Sequence, residues 1–284
     1  MEWIERLNSA VNYIEENLKG NIDLEEVSKI ACCSTYHFQR MFAYIADIPL
    51  SEYIRRRRMS LAAVDLQSGS QKVIDVSLKY GYDSPTAFNR AFKSVHGIAP
   101  SQAKEEGTIL KAFPPISFKI TIKGDSEMNY RIEKKEPFRI VGVSAPLETE
   151  IEKNFQTVPK MWADAVINGT IEKLVSMMDA EPKGILGVSA SNKEGNWRYY
   201  IAAASSQLLE NDLEEYTVPS CLWAIFSGQG TSKSIQELEK RIVTEWLPTS
   251  GYEYADAPDV EVYFNADPEN AQYEVWIPVV KKEN

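Results

Sequence analysis

The 284-residue chain has little cysteine and no long apolar stretch. Its three cysteines, Cys32, Cys33 and Cys221, are too few and too unevenly spaced for a disulfide framework. No apolar run approaches the roughly 18 residues that a membrane-spanning helix requires. The first residues, "MEWIERLNSAVNYIEENL", are acidic and periodic, unlike the basic start and apolar stretch of a signal peptide. These absences predict a reduced, cytoplasmic protein with no membrane partner.

Histidine is also scarce, with His37 and His96 in the first half and none in the second. The second half contains no phosphate-binding loop, no His-Glu-x-x-His and no Gly-x-Ser-x-Gly string. Acid–base chemistry based on imidazole therefore has no candidate residue there. Cys32, Cys33 and His37 lack the fourth ligand of a structural zinc site. We expect no catalytic residue, no metal and no cofactor.

Positive charge is in deficit, with 31 Lys and Arg against 41 Asp and Glu, a net charge of −10. Residues 1–127 hold 16 side chains of each sign, whereas residues 128–284 hold 15 basic and 25 acidic ones. The whole acidic excess therefore lies in the second half. A chain of this length has room for about two domains, and the charge division predicts that they differ in role.

The helical first half contains an internal repeat. The segments "STYHFQRMF" at 34–42 and "SPTAFNRAF" at 84–92 share the pattern Ser-x-x-x-Phe-x-Arg-x-Phe at an offset of 50 residues. A short helix and a tight turn precede each copy. This is the helix-turn-helix arrangement, whose second helix enters the DNA major groove. The repeat favours a DNA-reading role over two helices with ordinary solvated faces, the alternative that helical periodicity permits.

In each copy the apolar stripe leaves a set of side chains facing outward. These are Tyr36, Gln39, Arg40 and Ala43 in the first copy, and Thr86, Asn89, Arg90 and Lys93 in the second. Arginine pairs bidentately with guanine, and Gln or Asn with adenine. Both sets are therefore chemically suited to reading bases, and we expect Lys93 to contact a phosphate.

Four consecutive arginines, 55–58, lie in the helix that joins the two copies. At 100° per residue they cannot share one face. One row of this helix is mostly apolar and contains Ile54, Arg58, Ala62 and Leu66. Arg58 is therefore predicted to be partly buried and paired. Arg55, Arg56 and Arg57 are predicted to face outward and contact phosphates, which add salt-dependent affinity but no sequence information.

After Gly107 the dominant period changes to two. The segment "ISFKITIKG" is predicted to be a strand, and further strands run from "YRIEKK" to "YEVWIPVV", with helical segments at about 154–178 and 232–247. The order is that of a βαββ unit used twice. We predict a multidomain chain: an all-α double helix-turn-helix domain at 1–107, a linker at 108–127 and an α+β domain at 128–284.

Residues 5–106 resemble the DNA-binding domain of the AraC/XylS family of bacterial transcription regulators. The segments "STYHFQRMF", "PLSEYIRRRRMSLAA" and "VIDVSLKYGYDSPTAFNRAFKSVHGIAPSQ" underlie the resemblance, which includes both motifs and the linking helix. The likeness extends to the small stress-response activators, which bind asymmetric sites as monomers. The resemblance implies base contacts from Tyr36, Gln39, Arg40, Thr86 and Arg90.

In the last predicted strand, "QYEVWIPVV", Glu274 and Trp276 share one face. A carboxylate beside an indole can serve a lipophilic cation, although the same pattern also fits an exposed strand face. Residues 128–283 resemble the GyrI-like effector-binding domain, through "FRIVGVS", "CLWAIFSGQG", "EWLPTSGYEYADAPDVEVYFNADP" and "YEVWIPVV". The resemblance implies an aromatic pocket with Glu274 at its base and Trp276, Tyr263 and Trp223 as walls.

Together these observations predict a bacterial transcription activator that is not an enzyme. Its expected partners are double-stranded DNA, a small-molecule effector and RNA polymerase. Two alternatives come from relatives of the second domain. One is a small-molecule hydrolase that uses the pocket glutamate, and the other is a protein-binding module that inhibits DNA gyrase.

Overall fold

A computed structural model describes residues 3–119, 127–148, 151–191, 196–265 and 270–282. The chain divides into two compact units, residues 1–119 and 120–284. Residues 108–119, predicted as the first part of a linker, therefore lie within the first unit. No helix in the described ranges has the length and apolar character of a membrane span.

The first unit consists of helices and confirms the predicted double helix-turn-helix arrangement. Its helices are α1 (Trp3–Glu16), α2 (Leu24–Ala31), α3 (Thr35–Ala46), α4 (Leu50–Gln67), α5 (Val73–Lys79) and α6 (Pro85–His96). The pairs α2–α3 and α5–α6 are the two motifs. In the turn of the second motif, Gly81 has a φ of +77°, and an added Cβ would lie 3.0 Å from Nη1 of Arg58. Glycine adopts the positive φ without strain, and its lack of a Cβ leaves room for the Arg58 guanidinium.

The long helix α4 packs on both sides, and this reverses the predicted role of Arg57. Arg57 is 8% exposed, and its guanidinium donates to both carboxylate oxygens of Glu15 on α1, with Nη2 2.6 Å from Oε2. Arg58 is half-buried, as predicted, and its Nη2 donates to the Gly20 carbonyl at 2.6 Å. The prediction that Arg57 faces outward is wrong, because Glu15 of α1 and the Phe113 carbonyl lie against its guanidinium.

A short 3₁₀ helix at Gln102–Lys104 follows α6, and residues 108–119 after it are irregular and do not form a β-strand. Residues 116–119 of the predicted strand "ISFKITIKG" do not pair with another strand, and the remainder of that segment lies outside the described residues. The backbone N–H groups of this segment donate to side chains instead. One of them, Lys111 N–H, donates to Nδ1 of His96 at 3.2 Å.

His96 is buried, and its ring is bonded at both nitrogens. Its Nε2 lies 3.1 Å from the Met59 carbonyl, so Nε2 holds the proton and Nδ1 accepts from Lys111. Burial lowers the pKa of His96 below its ordinary value of 6.5. Protonation of Nδ1 would remove the acceptor for the Lys111 N–H.

We therefore expect protonation to destabilise the first unit. Because the unfolded chain binds the proton more readily, this contribution to stability is present above pH 6.5 and falls as the pH drops through 6.5. Thermal unfolding of the parent and of His96→Gln, compared between about pH 7.5 and 5.5, measures it. The melting temperature of the parent should fall more than that of the variant. An identical pH dependence of the melting temperature in the parent and in His96→Gln would contradict this role of His96.

The second unit is an α+β fold, as predicted. Its strands are β1 (Tyr130–Lys135), β2 (Phe138–Pro146), β3 (Ile185–Ser191), β4 (Trp197–Ala204), β5 (Glu214–Val218), β6 (Cys221–Gly230), β7 (Tyr252–Tyr254), β8 (Asp259–Tyr263) and β9 (Ala271–Lys281). Its helices are α7 (Ile151–Ile167), α8 (Thr170–Met177) and α9 (Ser232–Arg241). The sequence analysis missed the short strands β5 and β7, and it merged α7 with α8, which Gly169 separates.

The strands form one antiparallel sheet in the order β1-β6-β9-β8-β3-β4-β2-β5, with β7 also paired to β9. The two βαββ units are visible in this order: β2, β3 and β4 contact α7 or α8, whereas β6 and β9 contact α9. Strand β8 lies near the middle of the sheet between these two groups. Strand β8 therefore lies between the βαββ unit that contains α7 and α8 and the βαββ unit that contains α9.

Candidate functional site

Helix α6 presents its polar residues to solvent, as predicted. The Ser84 side chain caps it by accepting from the Ala87 N–H at 3.3 Å, and Pro85 occupies the first turn. Thr86, Asn89, Arg90 and Lys93 are exposed, while Phe88 and Phe92 are fully buried. The outward-facing residues of α6, the second helix of the second motif, are therefore accessible to solvent.

Helix α3 has a broader buried face than the sequence predicted. Ser34 caps it by accepting from the His37 N–H at 3.1 Å. Tyr36 and Arg40 are half-buried, and Arg40 Nε donates to the Tyr44 hydroxyl at 3.3 Å. Gln39 is 7% exposed, so the prediction that it faces outward is wrong for this structure. Ala43, one turn further on, is buried as well, and the buried face thus extends beyond the apolar stripe.

Two of the arginines predicted to contact phosphates remain on the outer side of α4. Arg55 and Arg56 are half-buried, and both pair with Glu52 on the same helix. Arg55 Nη1 also donates to Ser94 Oγ on α6 at 3.3 Å. The Arg56 guanidinium lies 5.2 Å from the centroid of the Phe113 ring. Arg55 thus extends the basic surface of α6, whereas Arg57 has no part in it.

The structure does not bring together the four residues predicted to bind the effector. Cross-strand pairing places Tyr263 opposite Tyr273 and Val262 opposite Glu274. Because successive side chains alternate across a sheet, Tyr263 lies on the face opposite that of Glu274. Trp276 and Trp223 share the Glu274 face, but Trp223 is fully buried in the core.

Glu274 is already bonded to a cation of the protein itself. Arg131 binds its carboxylate bidentately, with Nη1 2.7 Å from Oε1 and Nη2 3.0 Å from Oε2. Trp276 Nε1 donates to Oε2 at 2.8 Å. The hydrogen bond to Glu274 raises the pKa of Arg131. A ligand cation at this carboxylate would have to compete with a guanidinium.

On the opposite, helix-covered face the structure assembles a second acidic and aromatic group, the Glu261 cluster: Trp162, Tyr199, Glu261 and Tyr263. The hydroxyls of Tyr199 and Tyr263 donate to Glu261 Oε2 at 3.1 and 2.9 Å. Trp162 Nε1 on α7 donates to the Tyr199 hydroxyl at 3.0 Å. The Trp162 ring meets the Tyr263 ring edge-on, with centroids 5.0 Å apart. One carboxylate thus lies among three aromatic rings.

A glycine and a local negative field shape the Glu261 cluster. A Cβ at Gly187 would lie 2.2 Å from the Tyr199 hydroxyl and 2.8 Å from Glu261 Oε2, so only glycine leaves them room. Burial, then the negative charge of Glu261, raise the pKa of Tyr263 well above its ordinary value. Glu239 on α9 contributes in the same direction. The hydrogen bonds from the Tyr199 and Tyr263 hydroxyls add no positive charge to the carboxylate, and the three aromatic side chains beside it offer ring faces for cation–π contact.

The sequence analysis named Tyr263 as a pocket wall but missed Trp162, Tyr199 and Glu261, although one signal was present. In "DVEVY" Glu261 and Tyr263 alternate on one strand face, the same pattern that drew attention to Glu274 and Trp276. Tyr199 and Trp162 lie 62 or more positions away from Glu261 along the chain. No local pattern links them to it.

The two units therefore define the class of protein: a double helix-turn-helix DNA-binding domain joined to an α+β domain with a small-molecule site. The chain belongs to the GyrI-like family of small molecule binding domains, whose profile matches residues 128–280. A helix-turn-helix domain profile matches residues 27–106. The predicted membership in the AraC family and the GyrI-like assignment are both confirmed. The protein is a DNA-binding transcription regulator with a domain for a small-molecule effector.

Known proteins are similar to one or both units. The transcriptional activator AarP of Providencia stuartii is 43% identical over 95 residues, which cover 34% of this chain and 70% of that protein. The right origin-binding protein of Escherichia coli K12 is 23% identical over 94% of this chain and 95% of its own length. Among solved structures, SAV2435 bound to tetraphenylphosphonium shares 21% identity, with a TM-score of 0.47, over 54% of this chain and 94% of its own.

Proposed function

We propose that this protein activates transcription by binding an asymmetric DNA site through α3 and α6 and by sensing a lipophilic cation in its second domain. The observation that supports the DNA-binding part most directly is the exposed set on α6, Thr86, Arg90 and Lys93, on a capped helix in the reading position of its motif. Because the two outward sets differ in chemistry, the site should be about 20 base pairs long and should not be a palindrome.

Five residues are proposed to contact bases: Tyr36, Gln39, Arg40, Thr86 and Arg90. For Gln39, a base contact requires that its buried side chain become accessible. Arg55, Arg56 and Lys93 are proposed to contact phosphates. Arg57 is excluded from this group because it is buried against Glu15.

Arg90→Ala and Arg40→Ala should each weaken DNA binding by about 1–3 kcal/mol and relax specificity at one position of the site. A bidentate arginine discriminates guanine from other bases, so its loss is sequence-selective. Binding selections from random duplexes with the parent and each variant measure both effects. Lys93→Ala is the matched control and should weaken all sequences about equally, with a flatter dependence on salt. Unchanged base preference in both arginine variants would contradict the proposal.

For the effector we propose the Glu261 cluster in place of the Glu274 pocket. Glu261 accepts from two tyrosine hydroxyls and lies among three rings, a setting for charge and cation–π attraction. Glu274 already accepts a bidentate guanidinium. The experiment that separates these sites is argued in the Discussion.

The remaining parts of the proposal follow from the regulator class. Its activity is binding and not turnover, its location is the cytoplasm, and RNA polymerase is the partner through which activation occurs. The activating direction is supported by the similarity to AarP, which is named as a transcriptional activator. In vitro transcription from a bound promoter, with and without a cationic effector, tests this part. Repression under both conditions would contradict it.

A further inference from the structure

Residues 110–118, here called the strap, connect both helix-turn-helix halves of the first unit. We propose that the strap sets the spacing between the reading helices α3 and α6, and so determines which separation of DNA half-sites the protein accepts. This goes beyond the proposed function, which concerns the contacts of each helix. It rests on the proposal that both helices bind DNA.

At its beginning the strap is attached to the second half. Leu110 and Phe113 pack against the apolar cluster that α4, α5 and α6 form around Phe88 and Phe92. The Lys111 N–H donates to His96 Nδ1 near the end of α6. This end of the strap therefore moves with the second reading helix.

In its middle the strap is bonded to α4. The Phe113 N–H donates to Ser60 Oγ at 2.9 Å, and the Ile116 N–H donates to the Tyr53 hydroxyl at 3.1 Å. Arg57 Nη1 donates to the Phe113 carbonyl at 2.5 Å. Because Arg57 also binds Glu15 of α1, the strap shares one polar network with α1 and α4.

At its end the strap is attached to the first half. The Phe118 N–H donates to Asn8 Oδ1 at 2.7 Å, and Asn8 Nδ2 donates to the Phe118 carbonyl at 3.0 Å, so one amide side chain satisfies both backbone groups. The Phe118 ring is buried and meets Phe42 of α3 edge-on, with centroids 5.7 Å apart. This end therefore moves with the first reading helix.

Helix α4 joins the two halves along the chain, and these attachments add a second connection beside it. Reading helices that enter successive major grooves must be about 34 Å apart, and each base pair changes the separation by about 3.4 Å along the axis and the rotation by about 35°. Because the strap is bonded to both halves, it resists a change in the separation or relative rotation of α3 and α6. Weakening the strap should therefore reduce discrimination between half-site spacings more than it reduces binding to a half-site.

The experiment uses full-length protein and a duplex selected by the parent from random DNA. Two derivatives have one base pair inserted or deleted between the half-sites, and a third retains one half-site. Asn8→Ala and Ser60→Ala each remove one attachment of the strap. Asn17→Ala is the matched control, because its amide donates to the Tyr13 carbonyl on α1 and not to the strap. Melting temperatures are measured for every variant.

The parent and Asn17→Ala should bind the selected duplex about tenfold more tightly than the shifted ones, a difference of about 1.4 kcal/mol. In Asn8→Ala and Ser60→Ala this ratio should shrink at least about threefold, with half-site affinity unchanged. If both variants keep the full ratio, or lose affinity equally on all duplexes, the strap only stabilises the fold and the inference is overturned. If the parent shows no spacing preference, it is the proposed use of two helices that fails.

Discussion

Glu261→Gln should lose most of its affinity for lipophilic cations while Glu274→Gln keeps nearly all of it. Glu261 accepts hydrogen bonds from the Tyr199 and Tyr263 hydroxyls, and the Trp162 ring packs against Tyr263 beside it, so we expect a cation to bind here through charge and cation–π attraction. Truncating one partner of a partly buried charge pair costs about 2–5 kcal/mol. The dissociation constant should therefore rise by about 30-fold or more.

Calorimetric titration of the full-length protein measures this, with tetraphenylphosphonium as the cation and triphenylphosphine oxide as a neutral analogue. The neutral compound should lose much less on Glu261→Gln, because a glutamine retains the shape and the acceptor oxygen. Glu274→Gln serves as the matched control on the opposite face of the sheet. If Glu274→Gln abolishes binding and Glu261→Gln does not, the pocket predicted from the final strand is the effector site.

Arg57→Ala should destabilise the first unit more than any other single alanine substitution in the arginine run. The substitution leaves the Glu15 carboxylate without its guanidinium and frees the Phe113 carbonyl of the strap. Breaking a buried ion pair by removing one partner costs about 3–5 kcal/mol. The Tyr53 hydroxyl also donates to Glu15 Oε1, at 2.6 Å, but a hydroxyl supplies no positive charge in place of the guanidinium.

Thermal melting followed by circular dichroism, together with hydrogen exchange in α1 and α4, reports this loss. Arg58→Ala should have a smaller effect, since that side chain is half-buried and donates to the Gly20 carbonyl. Arg55→Ala should leave the melting temperature almost unchanged, because exposed ion pairs contribute little. A larger fall in melting temperature for Arg58→Ala than for Arg57→Ala would support the prediction from the sequence, in which Arg58 is the structural arginine and Arg57 faces outward.

Local sequence patterns determined the elements and the class of this protein. The repeat at 34–42 and 84–92 identified both motifs, because capping, turn and helical stripe depend on residues within a few positions of one another. Alternation identified most strands, and the position of Phe88 and Phe92 showed which side of α6 is exposed. The order of strands and helices was sufficient to predict two βαββ units.

Only the tertiary structure decided which charged side chains are available to bind DNA or an effector. Arg57 is buried because Glu15, 42 residues earlier, lies against it, and Glu274 is neutralised by Arg131, 143 residues earlier. A helical or strand period shows which residues share a face, but it does not show which element covers that face or which partner it supplies. For the same reason the strap appeared in the sequence as a strand and a linker. Its N–H groups find their acceptors on α1, α4 and α6, at separations of 15 to 110 residues.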